Sequence, residues 1–123
     1  LAIINYDKRK YYDKHFLSSN EIKMQSIIVN NNLVRCLNYL STDNPNALNA
    51  YYLTIEKIRI LYCMINYINY DITNFLEEYD FDFISLLNKT IKNISSNNII
   101  ELFNYVTKSI KINYKDYKIL INK

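Results

Sequence analysis

The 123-residue chain contains no glycine, and this absence limits its fold more than any other feature of the sequence. Average usage of about 7% would supply several glycines in a chain of this length. Without them, a turn that needs a positive φ must use asparagine or aspartate, and two-residue β-hairpins become unfavourable. A glycine-rich phosphate loop, a dinucleotide fingerprint and a glycine-flanked nucleophile elbow are also excluded.

Apolar residues recur at steps of three and four along most of the chain, a spacing that is typical of α-helices. Isoleucine and tyrosine favour strands, but the alternating pattern of a strand does not dominate here. Half of the residues are hydrophobic and 22% are charged, which is a globular composition. We therefore predict an all-α fold, a compact bundle of about six or seven helices in one domain, residues 1–123.

Polar segments indicate where the amino-terminal helices end. We expect a first helical region within residues 1–16, followed by a helix that stops or kinks at residues 30–32, "NNN". Asparagine tolerates the left-handed geometry that ends helices. After the next helix, Asn44 is expected to cap a short helix whose first residue is Pro45.

The carboxyl-terminal half carries similar signals. Residues 75–79 are expected to form one turn, and Asp80 or Asp82 is expected to cap the next helix. We predict the inner face of that helix as Phe83, Leu86, Leu87, Ile91 and Ile94. Asn98 with Glu101 predicts a capping box for the last clear helix, before a lysine-rich tail from Asn113.

Residues 53–68, "LTIEKIRILYCMINYI", form the most apolar segment of the chain. Apolar side chains cover most of its helical circumference, which predicts a central buried helix near residues 53–69. The segment falls short of the roughly 20 apolar residues of a membrane span and includes Arg59, so we do not expect it to cross a membrane. Arg59 has three alternatives: an ion pair with Glu56, a position at the helix edge, or the rim of a groove.

Candidate chemical sites are weak. His15 is the only histidine, and no serine or cysteine is placed to partner it as a nucleophile. The acidic group Glu77, Glu78, Asp80 and Asp82 is better explained by a solvated loop and a helix N-terminus than by a bound cation. Cys36 and Cys63 lie in apolar patterns, which favours buried thiols in a reducing compartment over a disulfide. We therefore expect no enzyme activity, no metal and no cofactor.

Lysine and tyrosine alternate in two segments, which leaves nucleic-acid binding as an alternative function. Residues 8–14 contain Lys8, Arg9, Lys10, Tyr11, Tyr12 and Lys14; the tail contains Lys108, Lys111, Tyr114, Lys115, Tyr117 and Lys118. Cationic side chains bind phosphates and aromatic rings stack on bases. The net charge of only +3 and the general abundance of tyrosine favour a solvated surface instead.

Two further stretches carry a resemblance to a known family. The order "LTIEKIRILYCMINYIN" and then "DFDFISLLNKTIKNISSNNIIELFNYVTKSIKI" resembles the central helix and the carboxyl-terminal helix pair of the poxvirus Bcl-2-like proteins. The resemblance covers residues 53–112. The abundance of tyrosine, asparagine, isoleucine and lysine also indicates an AT-rich genome, as in many large DNA viruses, some parasites and some low-GC bacteria.

The resemblance implies a virulence protein of the host cytoplasm that binds host signalling or apoptosis proteins. Such proteins dampen NF-κB or interferon signalling, or cell death, and commonly form homodimers. The lysine-rich tail lacks the hydrophobic anchor of the death-blocking members, which points to the soluble branch. We expect partner contacts at Arg59, Tyr62, Phe83, Ile99 and Phe103, and we rank nucleic acid below a protein as the partner.

Overall fold

In a computed structural model of the chain, the structure describes residues 19–66 and 80–110, which form four α-helices. These are α1 (Ser19–Ser41), α2 (Ala47–Ile65), α3 (Phe81–Lys92) and α4 (Ser96–Thr107), with a 3₁₀ turn at Lys108–Ile110. The predicted all-α class is confirmed, and the described part of the chain contains no strand. Six or seven helices and a Bcl-2-like arrangement stay predictions. The segments expected within residues 1–16, at residues 75–79 and in the tail lie outside the described residues.

Helix α2, which includes most of the segment predicted as the central helix, contacts each of the other three described helices, as α4 also does. It runs antiparallel to α1, and the hydroxyl of Thr54 donates to the backbone oxygen of Asn32 at 3.3 Å. The turn between the two helices includes Asp43 at a φ of 53°. Aspartate here takes the left-handed geometry that glycine usually supplies, as the glycine-free composition predicts.

The helix break predicted at residues 30–32 is wrong, because α1 continues through all three asparagines. The Asn32 amide donates to the backbone oxygen of Ile28 at 3.0 Å, one turn earlier. This bond goes to the preceding turn, so the Asn32 side chain finds a partner without ending the helix. Leu33 and Cys36, both buried, continue the apolar face beyond the asparagines. Packing of that face therefore outweighs the weak helix propensity of asparagine.

The two helices predicted on either side of residue 53 are one continuous helix, α2. No glycine or proline separates them, so the apolar pattern continues without a break. Asn44 does not cap this helix; its side-chain oxygen accepts from the Asn46 backbone N–H at 2.8 Å and closes a turn before it. Asn46 holds the N-cap position, but its side chain makes no capping hydrogen bond.

The two carboxyl-terminal helices begin with side-chain caps. Asp80 accepts from the Phe83 backbone N–H at 3.0 Å, so the cap predicted for α3 is confirmed. The capping box predicted from Asn98 and Glu101 is wrong. Ser95 caps α4 by accepting from the Asn98 backbone N–H at 3.3 Å, while the Asn98 amide donates to the Asn93 backbone oxygen. A serine that precedes the helix by one residue is the better acceptor for these N–H groups.

One apolar cluster joins all four helices. Tyr51, fully buried, links α2 to the connection between α3 and α4: its hydroxyl donates to the Thr90 backbone oxygen at 2.7 Å and accepts from the Ser95 backbone N–H at 3.3 Å. Ile91 and Ile94, predicted on the inner face of α3, are exposed instead. The neighbouring Thr90, which was not predicted on the inner face, is buried.

Asn30 is a polar residue inside this core. Its side chain is 0% exposed, and neither its amide nitrogen nor its oxygen has a hydrogen-bond partner in the described part of the chain. An unsatisfied buried amide loses its hydrogen bonds to water on folding and gains none in return. Asn30 therefore destabilises the fold relative to an apolar residue of similar shape.

We expect Asn30→Leu to raise the free energy of unfolding by about 1–3 kcal/mol, because leucine is branched like asparagine but has no polar atoms to desolvate. Urea denaturation followed by circular dichroism measures the change. Asn31→Leu, at an exposed position of the same helix, is the matched control and should change stability little. A less stable Asn30→Leu protein would show that the amide has a stabilising partner.

Candidate functional site

Arg59 pairs with Glu56, one helical turn earlier, which is one of the three alternatives that the sequence left open. Its Nε donates to Glu56 Oε1 at 3.2 Å, and a second guanidinium nitrogen donates to Oε2. The Arg59 side chain is 17% exposed and that of Glu56 is 51% exposed, so the pair lies at the protein surface with Arg59 largely covered. A surface pair of this spacing contributes only a few tenths of a kcal/mol, roughly, to stability. Arg59 is therefore paired within α2, with a small part of its side chain open to solvent.

The other four residues expected to contact a partner are in the core: Tyr62, Phe83, Ile99 and Phe103 are buried. The rings of Tyr62 and Phe83 stack at a centroid distance of 3.8 Å with an angle of 4° between their planes. A partner would reach these side chains only if the helices separated. In this conformation their role is to hold the helices together, and a direct contact with a partner is not expected of them.

The carboxylate of Asp80 joins three helices. It accepts from the hydroxyl of Tyr62 on α2 at 2.6 Å and from that of Tyr105 on α4 at 2.9 Å, while it also caps α3. The Lys108 ammonium lies over the Tyr105 ring at 3.7 Å from its centroid. This arrangement places one charge where three helix ends meet, with hydrogen bonds from three directions.

These contacts change the acidity of both partners. Desolvation is the largest effect on Asp80 and would raise its pKa, but hydrogen bonds from Tyr62, Phe83 and Tyr105 together outweigh it, so the pKa is lowered. Tyr105 responds in the opposite direction. Its own desolvation, then the hydrogen bond to Asp80 and the charge of that carboxylate, raise its pKa to about 12. Near neutral pH the pair is therefore a carboxylate that accepts a hydrogen bond from a neutral phenol.

A second, more open region lies on the outer face of the α1–α2 hairpin. Met24, Ile28 and Leu53 are 58%, 44% and 51% exposed. A cleft of about 250 Å³ at one end of the seam is lined by Met24 and Met64, and a cleft of about 260 Å³ at the other end by Arg35 and Leu53. We call Met24, Ile28 and Arg35 of α1, with Leu53, Lys57 and Met64 of α2, the hairpin face.

Helical periodicity places these six residues on one side of the hairpin. Steps of four and seven connect the three residues of α1, and the same steps connect the three residues of α2. The sequence reasoning missed this face because it followed only the main apolar stripe of each helix. Met24 and Ile28 lie out of phase with Ile22 and Val29, and that mismatch was the available signal for a second apolar surface.

The described residues hold no group that suggests metal or nucleophilic chemistry. No cluster of three or more histidine, cysteine or acidic side chains occurs among residues 19–66 and 80–110. Cys36 and Cys63 are free and buried, and desolvation raises the pKa of each thiol to about 11. Thiols in this state are poor nucleophiles at neutral pH.

Several sequence predictions fall outside the described residues. They concern His15, the acidic residues Glu77 and Glu78, and most of the two lysine and tyrosine segments. Lys108 is described, and its ammonium contacts the Tyr105 ring within the fold. The nucleic-acid alternative therefore stays a prediction.

In comparisons with known proteins, no family model, curated protein or solved structure matches this chain. Among the described helices, none combines the length and the apolar character needed to cross a membrane. The local geometry of the described residues is therefore the basis on which a function can be argued.

We expect Asp80→Ala to lower the free energy of unfolding by about 2–4 kcal/mol, because it removes a helix cap and two hydrogen bonds to a charged group. Chemical denaturation measures the loss. Asp82→Ala is the matched control, since Asp82 is an exposed acid in the first turn of the same helix. Equal losses in the two variants would mean that the Asp80 contacts contribute no more than a general charge at the helix N-terminus.

The lowered pKa of Asp80 predicts a defined pH dependence. A carboxyl whose pKa is lower in the folded state stabilises the protein above its ordinary value of 3.8, and this stabilisation is lost as the pH falls through the folded-state pKa. The stability difference between the natural protein and Asp80→Asn should therefore be constant above about pH 5 and shrink below about pH 4. Urea denaturation at several pH values checks this, with Asp82→Asn as the control. A difference that does not change down to pH 2 would contradict it.

Proposed function

We propose that the chain is a viral protein-interaction module that binds a host signalling or apoptosis protein through the hairpin face. Binding would dampen innate immune signalling through the NF-κB or interferon pathway, or cell death, in the reducing host cytoplasm. The observation that carries the proposal is the exposure of Met24, Ile28 and Leu53 on one side of a two-helix unit. Large apolar side chains grouped on a surface are typical of protein-binding sites.

The layout of the face supports this proposal. Each end of the hairpin seam has a cleft that could accept a side chain of a partner, and the apolar residues lie on and between these clefts. Interfaces typically combine a central apolar area with a polar rim. Here Met24, Ile28 and Leu53 supply exposed apolar area, and Arg35 and Lys57 supply charge beside it.

The viral and immune part of the proposal rests on the resemblance to the poxvirus Bcl-2-like proteins over residues 53–112. An all-helical fold with a central helix at Ala47–Ile65 is compatible with that resemblance. The homodimer that the resemblance implies would use an accessible surface. The Arg59 side chain is 17% exposed and reaches the surface in part, whereas Tyr62, Phe83, Ile99 and Phe103 are buried.

We expect the natural chain, expressed in cells with NF-κB, interferon and apoptosis reporters, to suppress at least one of the three responses. The double variant Ile28→Asp with Leu53→Asp should lose most of that suppression, because it places two charges in the apolar face. Sedimentation of the purified proteins tests the homodimer in the same set of variants. Absence of suppression in all three reporters would overturn the proposed function.

Leu48→Asp is the matched control for this experiment. Leu48 is as exposed as Leu53, but it lies five residues earlier on α2 and therefore on a different side of the helix. Circular dichroism should show unchanged helicity for all variants, since the altered side chains are outside the core. Equal loss of suppression by Leu48→Asp would show that the effect does not depend on the hairpin face.

A further inference from the structure

The cleft between the first turns of α2 and the second half of α1 differs in chemistry from the rest of the hairpin face. Its volume is about 260 Å³, and it is lined by six residues with polar side chains, Asn32, Arg35, Tyr39, Asn46, Asn49 and Thr54, and by Ala50 and Leu53. Among the described residues, no acidic side chain lines it and Arg35 is the one charged side chain, so this lining has a net positive charge.

The hydrogen-bonding groups of this cleft are largely uncommitted. Arg35 forms no ion pair with any described residue, in contrast to Arg59. Asn46 occupies the N-cap position of α2 without using its side chain to cap the helix. Asn49 is exposed on the next turn. Each asparagine amide therefore offers a donor and an acceptor toward the cleft or solvent, next to a guanidinium with five donors.

This set of groups matches the chemistry of an extended acidic peptide. A side-chain amide can pair with both the N–H and the C=O of a peptide backbone, and a guanidinium binds a carboxylate with two parallel hydrogen bonds. Leu53 adds an apolar contact for a neighbouring side chain of the peptide. A nucleic-acid strand would instead need several cations along its phosphates, and this lining has one.

We infer that this cleft binds an extended segment of the partner protein, with Arg35 pairing to an aspartate or glutamate of that segment. This inference rests on the proposed function. Asn46 and Asn49 hydrogen-bond the segment's backbone beside that residue. The cleft thereby selects acidic segments, whereas the Met24 and Ile28 end of the hairpin face contributes apolar area. Charge selects the segment, and apolar contact strengthens its binding.

The test selects dodecapeptides from a random phage-displayed library on the full chain and then measures their affinity by fluorescence polarisation. We expect the selected peptides to be enriched in aspartate and glutamate. Arg35→Glu should weaken their binding at least about tenfold, as should replacing the peptide's acidic residues by their amides. Asn49→Asp, which places a carboxylate in the cleft, should weaken binding in the same direction.

Lys23→Glu is the matched control, because it makes the same charge reversal on an exposed side chain of α1 outside the cleft. It should change the affinity less than about twofold. Selected peptides without acidic residues, or affinities that Arg35→Glu leaves unchanged, would overturn the inference. If Arg35→Glu leaves the affinity of the selected peptides unchanged but Ile28→Asp abolishes their binding, the hairpin face binds proteins and only the role of Arg35 is wrong. Preferential, Arg35-dependent binding of a single-stranded oligonucleotide over the peptides would also overturn it.

Discussion

The carboxylate of Asp80 is the polar contact that joins α2, α3 and α4 beside their shared apolar core. Each of these helices presents one donor to it: the hydroxyl of Tyr62, the backbone N–H of Phe83 and the hydroxyl of Tyr105. Burying part of a charge is unfavourable unless hydrogen bonds replace its water, and three donors meet that requirement. The stack of Tyr62 on Phe83 then follows, because the same contact that caps α3 also brings these two rings together.

The absence of glycine directs polar residues to tasks that glycine performs elsewhere. Asp43 takes the positive φ of the α1–α2 turn. Serine and aspartate begin the carboxyl-terminal helices, as is common at N-caps. Asparagine appears in three different positions. Asn32 lies within a helix, Asn44 lies in the turn before a helix, and Asn46 is an N-cap whose side chain makes no capping hydrogen bond. A given asparagine therefore does not predict a boundary unless the apolar pattern around it also ends.

That ambiguity explains which parts of the fold were predictable. The all-α class and the cap at Asp80 follow from apolar periodicity and capping chemistry. The predicted break at residues 30–32 and the predicted separation at residue 53 are wrong, because a continuous apolar face stabilises one helix through each position despite weak local helix propensity. Thr90 took an inner position because its hydroxyl can return a hydrogen bond to the Leu86 backbone oxygen, which periodicity alone does not reveal.

The candidate site was harder to predict for a related physical reason. Sequence periodicity identifies the large apolar residues of a helix, and such residues are both good core residues and good interface residues. Phe83 and Phe103 satisfied both descriptions, and only the packing of neighbouring helices assigned them to the core. The exposed apolar residues are those that remain once that packing is satisfied. Interaction surfaces in a small bundle are therefore best sought at apolar positions that do not fit the main helical stripe, as Met24 and Ile28 do not.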